Sequence, residues 1–308
     1  MNDNFYPLKQ HVFLINWLTL IFILVVAMII IGGITRITDS GLSMVEWRPF
    51  LGFLPPLNNQ EWERVFDLYK NTPEYSFYNK GMLLSEFKFI FFWEYFHRLW
   101  GRIIGIVFII PFIYFIVTKK IDKFITVRLL VILFFGSLQA FIGWWMVKSG
   151  LIDKPDVSQY RLAIHFGNSL LILFLLFWLI LDLKYKKSRI KFDLNLIIFF
   201  IIFVTIIAGS LVAGMDAGLM YNTYPLMNDS FFPSDYLSLG LLDPFENPGS
   251  AQFHHRHLGF ISLVAIGIFF VKNFYQKKVF LDLVFLIVLI ITQFVLGVYI
   301  LLNYVPNL

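Results

Sequence analysis

The sequence predicts an all-α polytopic membrane protein made of two parallel four-helix repeats, the second incomplete, with seven transmembrane helices present. The first observation is composition: 58% of the 308 residues are hydrophobic and 15% are charged, whereas soluble domains have roughly 45–50% and about 25%. The second is a series of long apolar runs, and the third is a set of motifs that occurs twice in the same order. A water-facing domain could not bury this much apolar surface, so lipid must be the solvent.

Apolar runs of about 20 residues, the length that crosses a bilayer, occur at seven places. They lie near 12–33, 88–117, 126–147, 160–183, 194–213, 252–273 and 279–301. The first run is too long and uninterrupted for a signal peptide and has no A-x-A cleavage site, so we interpret it as a retained span.

Basic residues in the short loops predict the orientation of these spans, because such loops face the cytoplasm. The basic residues concentrate after the second, fourth and sixth spans: Lys119, Lys120, Lys123, Lys184, Lys186, Lys187, Arg189, Lys191, Lys272, Lys277 and Lys278. Residues 214–251, by contrast, contain acidic residues but no Lys or Arg. The sequence therefore predicts a cytoplasmic N-terminus.

Charge and cysteine content exclude several functions. The net charge is +5, but the basic residues that produce it lie in short loops, where they set topology, so no nucleic-acid partner is expected. The chain has no Cys, which excludes disulfides, thiolate metal ligands, iron–sulfur clusters and cysteine nucleophiles.

The outer loop 34–87 is the longest polar stretch, and it contains one amphipathic segment. Apolar residues recur there at helical spacing opposite charged ones; the apolar set is Trp62, Val65, Phe66 and Tyr69, and the charged set is Glu61, Glu63, Arg64 and Lys70. This pattern predicts a short helix on the membrane surface. We favour an amphipathic cover for the bundle over a substrate contact.

An internal repeat organises the chain. DSGL at 39–42 matches DAGL at 216–219, EYFHR at 94–98 matches QFHHR at 252–256, and Gln139 with Gly143 matches Gln293 with Gly297. The repeats are parallel, so their symmetry axis lies along the membrane normal. We predict a first repeat at 1–183, which includes the outer loop 34–87 and forms the substrate half, and a second at 184–308, which forms the cofactor half with three helices. The counterpart of His165 would lie beyond Leu308, so an eighth helix is expected to be missing, and we interpret the chain as a fragment.

Three histidines lie at matched depth near the outer ends of spans that run from outside to inside: His97, His165 and His255. Ionisable residues inside a membrane are costly and point to function. Imidazole is an axial ligand of haem iron, and histidines on facing helices can hold a porphyrin between them. A hydrogen-bonded interface histidine is the alternative, but the recurrence of the His-Arg motif in both halves favours metal ligation. Interface or surface roles suffice for His254, His257 and His11.

Glu94 lies one helical turn before His97, whereas its repeat partner Gln252 cannot ionise. This difference predicts chemistry in the first half and cofactor binding in the second. A structural ion pair between Glu94 and Arg98 or Arg102 is the alternative and stays open. Arg98, Arg256 and Arg36 are candidate partners of haem propionates, although arginines at helix ends also extend to the interface without a ligand.

The motifs resemble those of the haem A synthase family of the mitochondrial and proteobacterial type. They are GGITRITDSGLSM at 32–44, EYFHR at 94–98, GMDAG at 214–218 with NTYPLM at 222–227, and QFHHR at 252–256. The resemblance covers essentially the whole chain. The branch of the family with a cysteine pair in the outer loop is excluded, because the chain has no Cys.

This resemblance implies an eight-helix enzyme of the bacterial inner membrane that oxidises the C8 methyl group of haem O to the formyl group of haem A for cytochrome c oxidase biogenesis. Haem B is the implied cofactor, and its iron is held by His255 and a histidine of the eighth helix. The resemblance places His97 and His165 at the substrate-haem site, with Glu94 beside them.

Two other functions remain as alternatives. A dihaem electron-transfer protein also needs paired histidines but needs neither Glu94 nor the long outer loop. A transporter built on parallel repeats predicts helices broken at the bilayer midplane, whereas the mid-span runs here are uninterrupted. The expected partners are haem O and a membrane electron acceptor, with a haem O synthase and a second copy of the chain as open alternatives.

Overall fold

The computed structural model describes residues 8–47, 52–151, 156–185, 193–276 and 281–305. Within these ranges the chain is helical and forms no β-strand, and seven helices are long and apolar enough to cross a membrane. They are α1 (Leu8–Ile37), α4 (Leu84–Val117), α5 (Lys123–Gly150), α6 (Gln159–Tyr185), α7 (Leu194–Gly214), α9 (Pro248–Tyr275) and α10 (Leu281–Leu302); the shorter helices are α2 (Asn59–Lys70), α3 (Pro73–Phe77) and α8 (Asp243–Glu246). The predicted all-α polytopic fold is confirmed.

Several spans begin earlier than their apolar runs, because polar residues cap them. The α5 helix starts at Lys123, and the Asp122 side chain accepts a hydrogen bond from the N–H of Ile125 at 2.8 Å. The α9 helix starts four residues before its apolar run, and Asn247 accepts from the N–H of Ser250 at 3.2 Å. Caps satisfy the first N–H groups of a helix, and hydrophobic periodicity does not detect them.

The chain divides into two compact units. The first unit is Met1–Val157 with Ile164–Ser188, and the second is Ser158–Ala163 with Arg189–Leu308. The repeat boundary at 183/184 stays a prediction. Some residues used to predict topology lie outside the described ranges: Lys186, Lys187, Arg189, Lys191, Lys277 and Lys278, together with the side chain of His11.

The apolar core of the first unit lies at one end of α1, α4, α5 and α6. It is formed by Leu14, Trp17, Leu18, Ile21, Val25, Phe108, Phe112, Phe115, Ile125, Leu129, Ile132, Ile172, Leu176 and Leu179. These residues come from the early parts of α1 and α5 and the late parts of α4 and α6, which the predicted topology places on the cytoplasmic side. The opposite ends of the same four helices carry the polar residues of the candidate site.

The segment that contains α2 and α3 covers the first part of α4. Its buried contacts are aromatic and aliphatic and join Phe66, Tyr69, Phe87, Ile90 and Phe91. The predicted amphipathic helix is therefore present as α2, and its apolar face packs on α4. This packing is what the cover interpretation expects.

In the second unit, α9 packs against α7, α8 and α10. The segment between α7 and α9 contains two short 3₁₀ turns, Ala217–Leu219 and Gly240–Leu242. The carboxylate of Asp243 is fully buried and accepts hydrogen bonds from the N–H groups of Leu237 and Leu239, at 2.9 and 3.2 Å, and from the Ser250 hydroxyl. Asp243 thereby fixes the loop against the start of α9.

Candidate functional site

His97 on α4 and His165 on α6 both lie in the first unit, at the ends of their helices away from the apolar core. Each ring contacts a glycine of a neighbouring helix. A methyl group on Gly32 of α1 would lie 3.4 Å from Nε2 of His97, and one on Gly143 of α5 would lie 3.1 Å from Cε1 of His165. The missing side chains leave the space that the two imidazoles occupy.

The two rings differ in how they are held. The Gln139 amide nitrogen lies 3.2 Å from Nε2 of His165 and donates to the carbonyl oxygen of His165 at 3.1 Å. Gln139 is itself oriented by Asn168, which donates to its amide oxygen at 2.6 Å. His97 has no hydrogen-bond partner within the described residues, so both of its ring nitrogens are available to a ligand.

His255 on α9 lies in the second unit, with its Nδ1 atom 3.1 Å from the carbonyl oxygen of Thr205 on α7. In this arrangement Nδ1–H donates and Nε2 keeps its lone pair, which is how histidines that bind metals are usually oriented. A methyl group on Gly209 of α7 would lie only 2.8 Å from Cε1 of His255. Gly209 is therefore the residue that lets this ring approach α7.

The contacts in the second unit repeat those in the first at a constant offset. Gly209 comes 177 residues after Gly32, and each contacts the histidine of the next span. Asp216 comes 177 residues after Asp39, and both have left-handed backbone, with φ of 49° and 46°. Asp tolerates this conformation better than most residues, so the turn after α1 and the turn after α7 have the same local chemistry.

Glu94 on α4 is 3% exposed, and its carboxylate has several partners. One oxygen accepts from the Ser43 hydroxyl at 2.7 Å and from the N–H of Met44 at 2.6 Å, and the other pairs with Arg98. Arg98 also donates to the carbonyl oxygens of Met44 and Glu46, at 3.1 and 3.3 Å. We call this arrangement the first clamp, because it fastens the loop after α1 to α4.

The second unit has an equivalent arrangement, the second clamp. Gln252 on α9 donates to the carbonyl oxygens of Gly218 and Tyr221, at 3.2 and 3.1 Å. Arg256 donates to the carbonyl oxygens of Tyr221 and Thr223, at 2.5 and 2.9 Å. The loop after α7 is thereby fastened to α9.

The two clamps share the arginine contacts and differ at the neighbouring side chain. The two carbonyl groups that Arg256 binds come 177 residues after those that Arg98 binds. Glu94 accepts from a loop N–H group, whereas Gln252 donates to loop carbonyl groups. Each clamp therefore matches the polarity of its own loop.

Comparison with known proteins agrees with this arrangement over nearly the full chain. A family model described as cytochrome oxidase assembly protein matches residues 15–308. Heme A synthase of Nitrosospira multiformis is 42% identical over 306 residues, which cover 94% of this chain and 85% of that protein. Heme A synthases of Wolbachia pipientis wMel and Maricaulis maris are each 43% identical, over 94% of this chain and over 84% and 88% of their own lengths. The chain belongs to the haem A synthase family.

No solved structure matches this member of the haem A synthase family. The fold brings His97 and His165 together in the first unit and places Glu94 and Arg98 on the same helix as His97. His255 and Arg256 lie in the second unit. The roles predicted for these residues stay predictions.

The described residues contain no group of three or more His, Cys, Asp or Glu side chains that could hold a bare metal ion. A haem does not need such a group, because the porphyrin supplies the equatorial ligands and the protein supplies one or two axial ones. Separate histidines on different helices are therefore compatible with the prediction of haem ligands.

Sequence reasoning missed the residues that position the histidines. They are Gly32, Gly143 and Gly209, the amide of Gln139, and the carbonyl group of Thr205. The 177-residue offset that relates Asp39 to Asp216 also relates Gly32 to Gly209, and this signal could have identified the first pair.

His254 and His257 pack among aromatic side chains of the second unit. The His257 ring lies 4.0 Å from the Phe253 ring between centroids, and its Nδ1 lies 2.7 Å from the carbonyl oxygen of Phe253. The His254 ring lies 5.8 Å from that of Tyr236. These contacts fit the interface roles predicted for both histidines.

Proposed function

We propose that this chain is an oxidoreductase of haem biosynthesis that oxidises the C8 methyl group of haem O to the formyl group of haem A, with haem B as its cofactor. The observation that carries the proposal is the repeated contact between a histidine and a glycine. Each unit presents an imidazole with an available ring nitrogen against a glycine of a neighbouring helix. The heme A synthases to which the chain is similar add the identity of the substrate.

His97 and His165 are the residues proposed to bind haem O. They lie in one unit, they are close enough to interact electrostatically, and both are at the end of the helices that the apolar core leaves free. Imidazoles on facing helices are the usual way in which a helix bundle holds a haem. His97, which has no partner among the described residues, is the more accessible ligand of the two.

The residues around His255 fit a haem B group. Its Nδ1 is engaged by Thr205, which leaves Nε2 for iron, and Gly209 gives the ring its space. The Nε atom of Arg256 is buried and has no hydrogen-bond partner within the described residues, so it can donate to a propionate. When bound, haem B supplies one-electron redox chemistry.

Glu94 is proposed to hold a negative charge beside the substrate site. It lies one turn before His97 on nearly the same helix face, and Arg98, Ser43 and Met44 fix its carboxylate in place. A carboxylate held in a water-poor site stabilises positive charge that develops next to it. The ion pair with Arg98 is thus part of the proposed role, since it orients the carboxylate and keeps it ionised.

The proposal places the protein in the bacterial inner membrane with a cytoplasmic N-terminus. The seven apolar helices support a multi-pass protein, and the basic loops support the orientation. Converting a methyl group to a formyl group removes electrons from the carbon, so a membrane electron acceptor is the expected partner.

The test is the haem composition of membranes that contain the chain and receive haem O. Pyridine haemochrome spectra distinguish haems A, O and B. Haem A should form with the wild-type chain and should be absent with His97→Ala or His165→Ala, whereas His254→Gln should leave its formation nearly unchanged. Haem O that stays unconverted by well-folded wild-type protein with bound haem would favour a dihaem electron-transfer protein instead.

A further inference from the structure

The segment that covers α4 contains a buried carboxyl group that the proposed function does not use. Glu74 on α3 is 6% exposed, and its Oε2 atom is buried with no hydrogen-bond partner among the described residues. No ion pair within the described part of the chain includes Glu74. An isolated ionised carboxylate is costly in such a place, and a neutral carboxylic acid is far less so.

The partner that Glu74 does have is neutral. Tyr69 on α2 is fully buried, and its hydroxyl oxygen accepts a hydrogen bond from the Asn79 amide at 2.6 Å. The Tyr69 hydroxyl is therefore free to donate its own proton, and its hydrogen-bond partner is Glu74. A single phenol cannot replace the water shell of a carboxylate.

The charged groups that act on Glu74 are acidic and come from three directions. They are Glu94 on α4, Asp39 after α1 and Asp156 before α6. Like charges disfavour a further ionisation. Glu94 differs from Glu74 because it has a guanidinium, a hydroxyl and a backbone N–H as donors. When the surroundings of two nearby carboxyl groups differ in this way, one is the protonated member and the other the ionised member.

We propose that Glu74 is a proton-binding site in the cover of the candidate site, occupied at neutral pH, and that its proton keeps a second negative charge away from Glu94. Burial, together with the acidic neighbours, raises the pKa of Glu74 to about 8, and the hydrogen bond from Tyr69 opposes this rise. Above that pH the cover acquires a buried charge. The effect on haem A formation rests on the proposed function, whereas the protonation of Glu74 does not.

The decisive measurement is an infrared pH titration of the purified full chain. Wild-type protein should show the carbonyl stretch of a carboxylic acid at neutral pH, and this band should disappear around pH 8. Glu74→Gln should lack the band, and Glu63→Gln should keep it. Glu63 is a suitable control because it is exposed on α2 and its substitution removes the same charge. A band that persists in Glu74→Gln, or a wild-type protein with no band that titrates in this range, would overturn the proposal.

Tyr69→Phe provides a second test that leaves the carboxyl group in place. Removing the phenol hydroxyl removes the only donor to Glu74, so the midpoint of the titration should move to higher pH. A midpoint that stays the same or moves to lower pH would contradict the arrangement.

Haem A formation measured against pH separates this proposal from the proposed function. The wild-type rate should fall above about pH 8, and Glu74→Gln should remove this fall, because glutamine stays neutral. A fall of equal size in Glu74→Gln would overturn the link to the candidate site. If no variant and no wild-type protein formed haem A, the proposed function would fail, and the infrared titration would still decide the proton-binding site.

Discussion

A glycine beside each histidine limits where the imidazole can lie. The clearance differs among the three contacts, because a methyl group would lie 2.8 Å from His255 at Gly209, 3.1 Å from His165 at Gly143 and 3.4 Å from His97 at Gly32. Approaches below about 3.0 Å require atoms to move, whereas 3.4 Å is ordinary van der Waals contact. The contacts therefore form a graded series.

We predict that alanine at these glycines lowers haem content in the order Gly209→Ala, then Gly143→Ala, then Gly32→Ala. Overpacking costs about 1–3 kcal/mol, which corresponds to roughly 5- to 150-fold weaker haem binding at the most crowded position. Haem per chain, measured by pyridine haemochrome on purified protein, checks the order.

Two other glycines serve as matched controls, because a methyl group at Gly136 on α5 or Gly267 on α9 would contact nothing within 4 Å. Gly136→Ala and Gly267→Ala should retain the haem content of the wild-type protein. An equal loss in all five variants would show that helix packing in general, and not the space around the rings, controls haem binding.

The loops after α1 and α7 depend on the helix that follows each of them. The first clamp joins a carboxylate to loop N–H groups, and the second joins an amide to loop carbonyl groups. Backbone groups in such loops need partners when they are buried. Exchanging the two side chains therefore tests whether the polarity of each clamp matters.

We predict that Gln252→Glu loosens the loop after α7. The new carboxylate would face the carbonyl oxygens of Gly218 and Tyr221, and losing these hydrogen bonds in a buried place costs about 1–3 kcal/mol. Hydrogen exchange of residues 217–223 should become roughly 5- to 150-fold faster. Gln252→Met, which keeps the size and adds no charge, should have a smaller effect. Unchanged exchange in Gln252→Glu would mean that Arg256 pairs with the new carboxylate, as Arg98 pairs with Glu94.

The α2 and α3 segment should respond to pH through Glu74. Its pKa in the folded protein is about 8, above the ordinary value of 4.5, so the folded state binds the proton more tightly than the unfolded state. This contribution to stability is fully present below pH 4.5 and is lost as the pH rises to about 8.

The difference in thermal unfolding midpoint between Glu74→Gln and wild-type protein should therefore change in favour of the variant as the pH is raised through this window. A constant difference from acid to alkaline pH would contradict the assignment, since other titrating groups act on both proteins alike.

At the scale of the whole molecule, the absence of cysteine allows a direct test of the orientation in the membrane. We predict that Asp229→Cys, in the loop between α7 and α9, reacts with a membrane-impermeant thiol reagent in intact cells. Lys120→Cys, between α4 and α5, should react only after the cells are permeabilised. Both positions lie outside the helices, so neither substitution disturbs a span.

The wild-type chain is the control for this labelling, because it has no thiol to modify. Labelling of Lys120→Cys in intact cells together with protection of Asp229→Cys would invert the predicted topology. The basic loops would then not set the orientation as the distribution of Lys and Arg implies.

Much of the fold and part of the candidate site could be predicted from the sequence. The seven spans follow from apolar runs, because a bilayer demands a minimum apolar length. The three candidate histidines follow from the cost of polar residues in the membrane and from their recurrence in the repeat. Helix ends were less predictable, since α5 and α9 begin at caps made by Asp122 and Asn247.

The sequence by itself determined the fold class, the family and the identity of the candidate histidines, because composition, periodicity and ordered motifs are local properties of the chain. The tertiary structure alone decided which residues surround them. Gly209 beside His255, the Met44 N–H on Glu94 and Tyr69 beside Glu74 join distant parts of the chain. Such contacts depend on how helices pack at distances of a few ångströms, and hydrophobic periodicity specifies which face of a helix is buried but not which atoms meet there.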